Sequence, residues 1–215
     1  MYSVTRPDYR LYLVTDREII GSKSFYASIE QAIDGGVTFL QLREKSISSR
    51  EFYQLAQSVK KIAVRFNIPL VINDRLDIAL AVDADGVHVG QSDLPVEVAR
   101  QLLGPNKIIG VSASQVDEAL AAEQGGADYL GVGAIFPTGT KTDARLVSLT
   151  ELEKIKQIVN IPVVAIGGIN EENAAAVMDT GIDGISVVSA ILAKENTKQA
   201  SAKLLEIIRK TRNEK

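Results

Sequence analysis

Cysteine is absent from the 215 residues of the chain. Its absence excludes disulfide bonds, thiolate metal sites and cysteine nucleophiles, so any chemistry must rest on other groups. Secreted domains often carry many disulfides, whereas cytoplasmic proteins rarely do. We therefore expect a cytoplasmic protein.

A basic excess is also lacking, because 24 Lys and Arg residues face 27 Asp and Glu residues and the net charge is −3. Nucleic-acid-binding domains usually carry a basic excess, and the scattered aromatic residues form no stacking stripe. No apolar run approaches the roughly 18 residues of a membrane span, and residues 1–10 lack the apolar segment of a secretory signal. We expect no nucleic-acid partner and no membrane partner.

Short apolar runs alternate with amphipathic segments along the whole chain. Eight runs predict strands, at residues 12–15, 39–43, 70–73, 86–89, 108–112, 129–133, 163–166 and 184–188. Helix-period segments include residues 51–66, 115–124, 149–158, 171–179 and roughly 197–212, and glycines at 35–36, 125–126 and 181 suit left-handed helix ends. Such alternation predicts a parallel sheet, and eight units in this length favour a single-domain (β/α)8 TIM barrel over residues 1–215. An open doubly wound sheet is the alternative.

Active sites of these barrels lie at the carboxyl ends of the strands, and charged residues follow the second predicted strand. Side chains alternate along a strand, so Gln41, Arg43 and Lys45 share one face if Leu40 and Leu42 face the helices. We expect these three side chains at the barrel mouth. Alternatively, Lys45 lies on a surface loop and Arg43 pairs with an acid.

Two aspartates follow neighbouring predicted strands, Asp74 after the third and Asp93 after the fourth. Carboxylate oxygens with open positions beside them suit Mg²⁺, which keeps water and takes phosphate oxygens. The alternative is that each aspartate caps the helix that follows it. The two roles can coexist.

The later strand ends carry groups that suit anions. Gly167 and Gly168 follow the seventh predicted strand and Ser189 follows the eighth, which is the usual phosphate site of such barrels. The loop at residues 136–143, after the sixth strand, mixes hydroxyls, a glycine and a lysine, as a lid around an anion would. The single histidine, His88, lies inside a strand and is interpreted as a packed interior residue, with general acid–base catalysis as the alternative.

Seven segments taken in order resemble the thiamine-phosphate synthase family, from about residue 10 to 195. They are residues 12–16 (YLVTD), 41–45 (QLREK), 73–75 (NDR), 85–91 (DGVHVGQ), 131–141 (GVGAIFPTGTK), 165–169 (AIGGI) and 187–191 (VVSAI). The resemblance implies an Mg²⁺-assisted transferase. It would condense 4-amino-2-methyl-5-hydroxymethylpyrimidine diphosphate with 4-methyl-5-hydroxyethylthiazole phosphate, or its carboxylate form, giving thiamine phosphate and pyrophosphate.

The resemblance also implies roles for individual residues. The pyrimidine diphosphate would be held by Gln41, Leu42, Arg43, Glu44, Lys45, Asn73, Ser112 and Lys141, of which Arg43, Lys45, Ser112 and Lys141 would be catalytic. The thiazole phosphate would be held by Thr138, Gly139, Thr140, Gly168, Val188 and Ser189. Asp74 and Asp93 would hold Mg²⁺.

Three other functions remain open on the sequence. A thiazole tautomerase of the same barrel family relies on a histidine after the fifth strand, where this chain has Ser114. A sugar-phosphate isomerase or epimerase would need a matched acid–base pair. A non-catalytic protein that binds thiamine precursors is the third alternative, although no added partner module supports it.

Overall fold

The computed structural model describes residues 7–139 and 145–213. Its strands are β1 (Leu11–Val14), β2 (Phe39–Leu42), β3 (Leu70–Asn73), β4 (Gly86–Val89), β5 (Ile108–Ala113), β6 (Tyr129–Val132), β7 (Val163–Ile166) and β8 (Gly184–Val187). Its helices are α1 (Arg17–Ile20), α2 (Phe25–Asp34), α3 (Ser49–Phe66), α4 (Leu76–Ala81), α5 (Val96–Leu103), α6 (Val116–Gln124), α7 (Leu149–Ile158), α8 (Ala174–Met178), α9 (Ser189–Leu192) and α10 (Thr197–Thr211).

The eight strands form one closed parallel barrel in sequence order, with β8 paired to β1. The predicted (β/α)8 architecture is thus confirmed, and the open sheet is excluded. Strand limits agree with the sequence prediction to within one residue at each end. The largest difference is α8, which begins at Ala174 rather than at residue 171, because residues 170–173 form a turn closed by the Asn173 side chain on the Asn170 N–H.

Alternation along the strands separates two apolar layers. One set of strand side chains, including Leu40 and Leu42, packs against the helices in the main core. The opposite set fills the barrel interior and consists of Tyr9, Tyr12, Val14, Phe39, Val71, Tyr129 and Val164. Each large aromatic side chain removes about 150–250 Å² from water. These aromatic rings therefore fill the barrel interior.

Side chains at the amino ends of the strands tie neighbouring strands together. Near the amino end of each odd-numbered strand, one backbone N–H donates to the side chain of the residue preceding the next strand: Leu11 to Thr38, Leu70 to Asp85, Ile109 to Asp128 and Val163 to Asp183, at 3.2, 2.9, 2.7 and 2.7 Å. The three aspartates also pair with Lys60, Arg100 and Lys156 on the helices. These anchors lie at the end of the barrel opposite the predicted site.

The close packing at the amino ends of the strands leads to a prediction about stability. A Cβ atom at Gly86 would lie 1.8 Å from the carbonyl oxygen of Ile108 on the next strand. Overpacking costs about 1–3 kcal/mol, and each kcal/mol shifts the melting temperature of a domain of this size by about 2–4 °C. We expect Gly86→Ala to lower the melting temperature by about 6–12 °C, the range for a 3 kcal/mol loss.

A matched control is Gly139→Ala, because no described atom lies within 4 Å of a Cβ built there. We expect its melting temperature to stay near that of the parent chain in the same calorimetric scan. Equal melting temperatures for both variants would contradict the close approach of β4 and β5 at Gly86.

Candidate active site

A cavity of about 790 Å³ opens at the carboxyl ends of the strands. This size is within the usual range for small-molecule sites. Most of the described residues that the sequence assigned to the site line it: Gln41, Arg43, Lys45, Asn73, Asp74, Asp93, Ser112, Thr138, Gly168, Val188 and Ser189. The fold therefore brings together side chains that are up to about 150 residues apart in the sequence.

Three described residues assigned to the substrate do not line the cavity. Leu42 has no exposed surface and packs between barrel and helices, as the alternation of β2 requires. Glu44 is turned toward Arg17, with Oε1 2.6 Å from Nε. Gly139 follows the lining residue Thr138 but does not line the cavity itself, and Thr140 and Lys141 lie outside the described residues.

The two cations after β2 are each held by a carboxylate while they line the cavity. The Arg43 guanidinium lies 3.2 Å from Asp16 Oδ2, and the backbone N–H of Arg43 donates to Thr15 Oγ1. Lys45 Nζ lies 2.5 Å from Asp74 Oδ2. The alternative in which Arg43 pairs with an acid is thus correct, but the pair lies at the cavity rather than away from it. Both cations remain available to an anionic ligand.

Neither Asp74 nor Asp93 caps the helix that follows it. Helix α4 begins after Arg75 and α5 after Pro95, and neither helix receives a side-chain capping bond. Asp74 instead adopts a left-handed backbone with φ 59°, and Asp93 Oδ2 accepts the Gly90 N–H at 2.7 Å. The backbone therefore turns both carboxylates toward the cavity.

Asp74 and Asp93 line the same cavity, and each carboxyl group affects the charge of the other. Burial raises the pKa of Asp93, and the neighbouring Asp74 carboxyl adds to that rise, against the Gly90 N–H and Lys45, which lower it. Two carboxylates at close range repel unless a proton or cation lies between them. Within residues 7–139 and 145–213 no group of three or more His, Cys, Asp or Glu side chains could hold a metal. A cation here would therefore take its other ligands from water or phosphate oxygens.

Backbone glycines form the opposite wall of the cavity. Gly167 and Gly168 follow β7 with φ of 101° and 63°, and a Cβ at Gly168 would lie 2.7 Å from Phe136 Cβ and from the Pro137 carbonyl oxygen. The Phe136 N–H donates to the Gly167 carbonyl at 3.0 Å. The loop after β6 is thereby tied to the end of β7 beside Val188 and Ser189.

Two tyrosines that the sequence did not single out, Tyr12 and Tyr129, join Gln41, His88 and Ser112 in a line through the barrel interior. Gln41 Nε2 donates to Tyr12 Oη at 2.5 Å, and Tyr12 Oη lies 2.8 Å from Tyr129 Oη. Tyr129 Oη lies 2.9 Å from His88 Nδ1, and His88 Nε2 lies 2.9 Å from Ser112 Oγ. Burial raises the pKa of Tyr12 and of Tyr129 well above the usual tyrosine range, so both hydroxyls stay protonated.

The interpretation of His88 as an interior residue is correct, since only 8% of its surface is exposed. His88 and Tyr12 nevertheless line the cavity. The sequence signal that could have found them is the strand alternation, which turns Tyr12 and His88 inward. Ser114 also lines the cavity, where Glu118 Oε2 accepts its N–H at 2.7 Å and its hydroxyl at 3.0 Å.

No helix in the described part of the chain combines the length and the apolar character that a membrane crossing needs.

Comparisons of this chain with known proteins agree on one family. A family model described as thiamine monophosphate synthase matches residues 11–191. The thiamine-phosphate synthase of Clostridium acetobutylicum is 59% identical over 94% of this chain and 96% of its own length. That of Alkaliphilus oremlandii is 58% identical over 92% and 94%.

A solved structure carries the same family description. The thiamine phosphate pyrophosphorylase from Pyrococcus furiosus superimposes with a TM-score of 0.89 at 44% sequence identity, covering 96% of this chain and 98% of its own. The family model covers most of the chain, and the relatives match it nearly end to end. The chain belongs to the thiamine monophosphate synthase family.

Proposed function

We propose that the chain condenses 4-amino-2-methyl-5-hydroxymethylpyrimidine diphosphate with 4-methyl-5-hydroxyethylthiazole phosphate, or its carboxylate form, and releases pyrophosphate. The bond between the pyrimidine methylene carbon and the diphosphate oxygen breaks, and its electron pair leaves with pyrophosphate. The lone pair of the thiazole nitrogen then forms the new carbon–nitrogen bond. The product is thiamine phosphate.

The observation that carries this proposal is the charged rim after β2, β3 and β4. Arg43, Lys45, Asp74 and Asp93 all line one cavity, and Lys45 contacts Asp74 there. Negative charge develops on the departing pyrophosphate, so positioned cations should supply most of the catalysis. No covalent nucleophile is needed, which agrees with a chain that has no cysteine.

The size of the barrier explains why several groups are needed. One lysine about 4 Å from a unit charge contributes on the order of 4 kcal/mol at an effective dielectric constant of about 20. Enzymes lower barriers by roughly 8–23 kcal/mol. Arg43 and Lys45 would therefore act together with Lys141 and with the positioning of both substrates. Asn73 and Gln41 would orient the pyrimidine, and Ser112 would contact it or its diphosphate.

A magnesium ion fits the carboxylates of Asp74 and Asp93. Both are hard oxygen donors that line the same cavity, and burial together with the Asp74 charge already raises the pKa of Asp93. When bound, Mg²⁺ would neutralise charge on the diphosphate oxygens. Lys45, which already contacts Asp74, would hold the same diphosphate from the side of β2.

The thiazole phosphate would lie on the glycine wall. Thr138, Gly168, Val188 and Ser189 line that part of the cavity. The proposed role of Gly168 in phosphate binding is supported by its position in the family motif. It is also supported by the close approach of its backbone to Pro137, which leaves no room for a side chain. Gly139 and Thr140 would add contacts from the loop after β6, a role that rests on the family resemblance.

The proposal also includes a cytoplasmic location and small-molecule partners only. The net charge of −3 offers no support for nucleic-acid binding. Phosphorylated substrates are met by local cations at the cavity rather than by a basic surface.

The test is to mix the purified chain with both substrates and to follow thiamine phosphate and pyrophosphate, with and without Mg²⁺. We expect equal amounts of both products, formed only with the metal. Pyrophosphate release without thiamine phosphate would contradict the condensation. If neither product forms although the protein is folded and Mg²⁺ is present, the synthase proposal fails and direct binding of thiazole phosphate should be measured next.

A further inference from the structure

The line of polar side chains through the barrel interior joins two residues of the proposed pyrimidine site. Gln41 stands on β2 and Ser112 on β5, and Tyr12, Tyr129 and His88 connect them without a gap longer than 2.9 Å. Gln41, Tyr12, His88 and Ser112 line the cavity, whereas Tyr129 has no exposed surface. The connecting residues thus lie where water has little access.

Once the orientation of the Gln41 amide is given, and if each proton is used within the line, the direction of every other hydrogen bond follows. The amide of Gln41 donates to Tyr12, so the single proton of Tyr12 must go to Tyr129, and that of Tyr129 to Nδ1 of His88. A neutral His88 then carries its proton on Nε2 and donates it to Ser112 Oγ. The Ser112 hydroxyl proton remains to face the cavity, as does the carbonyl oxygen of the Gln41 amide.

Rotating the Gln41 amide by half a turn would reverse the whole line. Tyr12 would then donate to Gln41, Nδ1 of His88 would carry the proton, and Ser112 would donate to Nε2. In that state Gln41 offers N–H to the cavity and Ser112 offers a lone pair. In both states the two ends present opposite characters, one an acceptor and the other a donor.

We propose that Tyr12, Tyr129 and His88 are positioning residues that couple the hydrogen-bonding character of Gln41 to that of Ser112. The cavity thereby selects a heteroaromatic ring with an N–H donor toward Gln41 and an acceptor toward Ser112. The ring selection rests on the proposed function, since an aminopyrimidine carries both groups. The coupling itself rests only on the hydrogen bonds between the five side chains.

The chain offers a direct probe, because His88 is its only histidine. Protein labelled with ¹⁵N in the histidine ring gives imidazole signals from that residue alone, and they report which nitrogen carries the proton. We expect Nε2–H in the parent chain. Glutamate at position 41 can only accept when ionised, so we expect Gln41→Glu to move the proton of His88 to Nδ1 through Tyr12 and Tyr129, which lie between them in the line.

Two further variants separate this coupling from a change in packing. Tyr12→Phe removes one link, so adding Gln41→Glu to it should no longer shift the histidine signals. Phe39 packs against the rings of Tyr12 and Tyr129 at 4.6 and 5.6 Å between centroids but makes no hydrogen bond in the line. Phe39→Leu should therefore leave the proton on Nε2. The coupling is wrong if Gln41→Glu leaves the His88 tautomer unchanged in a folded protein. It is also wrong if Gln41→Glu shifts the tautomer as much in the Tyr12→Phe background as in the parent chain.

Ring selection is tested by direct binding to Tyr129→Phe. This variant keeps the ring and breaks the line in the middle, so we expect the Kd of the pyrimidine diphosphate to rise about 10-fold, the cost of one hydrogen bond. The Kd of thiazole phosphate should not change. Equal weakening of both ligands, or of neither, would overturn the selection.

The two failures can be told apart, because the labelled histidine needs no substrate. A parent chain that makes no thiamine phosphate refutes the proposed function, and ring selection with it, even if the His88 proton moves as expected. A parent chain that makes thiamine phosphate while Gln41→Glu leaves His88 unchanged refutes the coupling alone.

Discussion

Replacing Lys45 by alanine should lower kcat by about 10²–10³-fold, comparable to the loss of one donor toward developing charge in other enzymes. Lys45 lines the cavity and contacts the Asp74 carboxylate, so it lies between the proposed metal and the proposed diphosphate. Its ammonium group would stabilise the transition state most strongly as pyrophosphate departs, because negative charge then builds on the leaving oxygens. The effect should be larger on kcat than on KM, and single-turnover measurement of thiamine phosphate would show it.

The control for this variant is Lys154→Ala, which removes a cation from the exposed face of α7. Its kcat should equal that of the parent chain. Should Lys45→Ala raise KM alone, with kcat intact, the lysine would contribute only to binding. In that case the assignment of leaving-group stabilisation to Lys45 would be wrong.

Replacing Asp93 by asparagine should raise the Mg²⁺ concentration for half-maximal rate by about 10- to 100-fold, as the loss of a charged contact would. The amide oxygen of asparagine can still accept the Gly90 N–H, so the loop after β4 should keep its shape. The substitution therefore removes the negative charge of the side chain and keeps the conformation of the loop. Asp74→Asn should act in the same direction, because its carboxyl group faces the same space.

Asp83→Asn is the matched control, since Asp83 pairs with Lys107 at the opposite end of the barrel. Its Mg²⁺ titration should coincide with that of the parent chain. A parent-like titration for Asp93→Asn would mean that Asp93 serves only to hold the Gly90 N–H. The metal proposal would then lose one of its two protein ligands.

The barrel was predictable because its strands and helices have different apolar periods. Runs such as residues 70–72 and 163–166 are apolar at every position, as expected for strands covered on both sides, and the structure places strands there. Alternation along β2 also placed Leu40 and Leu42 against the helices correctly. The same alternation argued against Leu42 as a cavity residue, although the family resemblance included it.

Backbone conformation decided what the sequence left open. Aspartate before a helix commonly caps it, and only the left-handed backbone of Asp74 and the Gly90 contact of Asp93 show that neither does so here. The interior line was harder to foresee. Tyrosine and histidine in a strand usually belong to the core, and the partners of Tyr129 are 117 and 41 residues away in the chain.

The anchors at the amino ends of the strands recur with a period of two strands. Thr38, Asp85, Asp128 and Asp183 each join one pair of strands, so the barrel consists of four strand pairs fastened at the end far from the cavity. The three aspartates also pair with Lys60, Arg100 and Lys156, on the helices that lead from one pair of strands to the next. Because these contacts lie at the end opposite the cavity, we expect substitutions in the loops at the cavity to leave the fastenings that close the barrel intact.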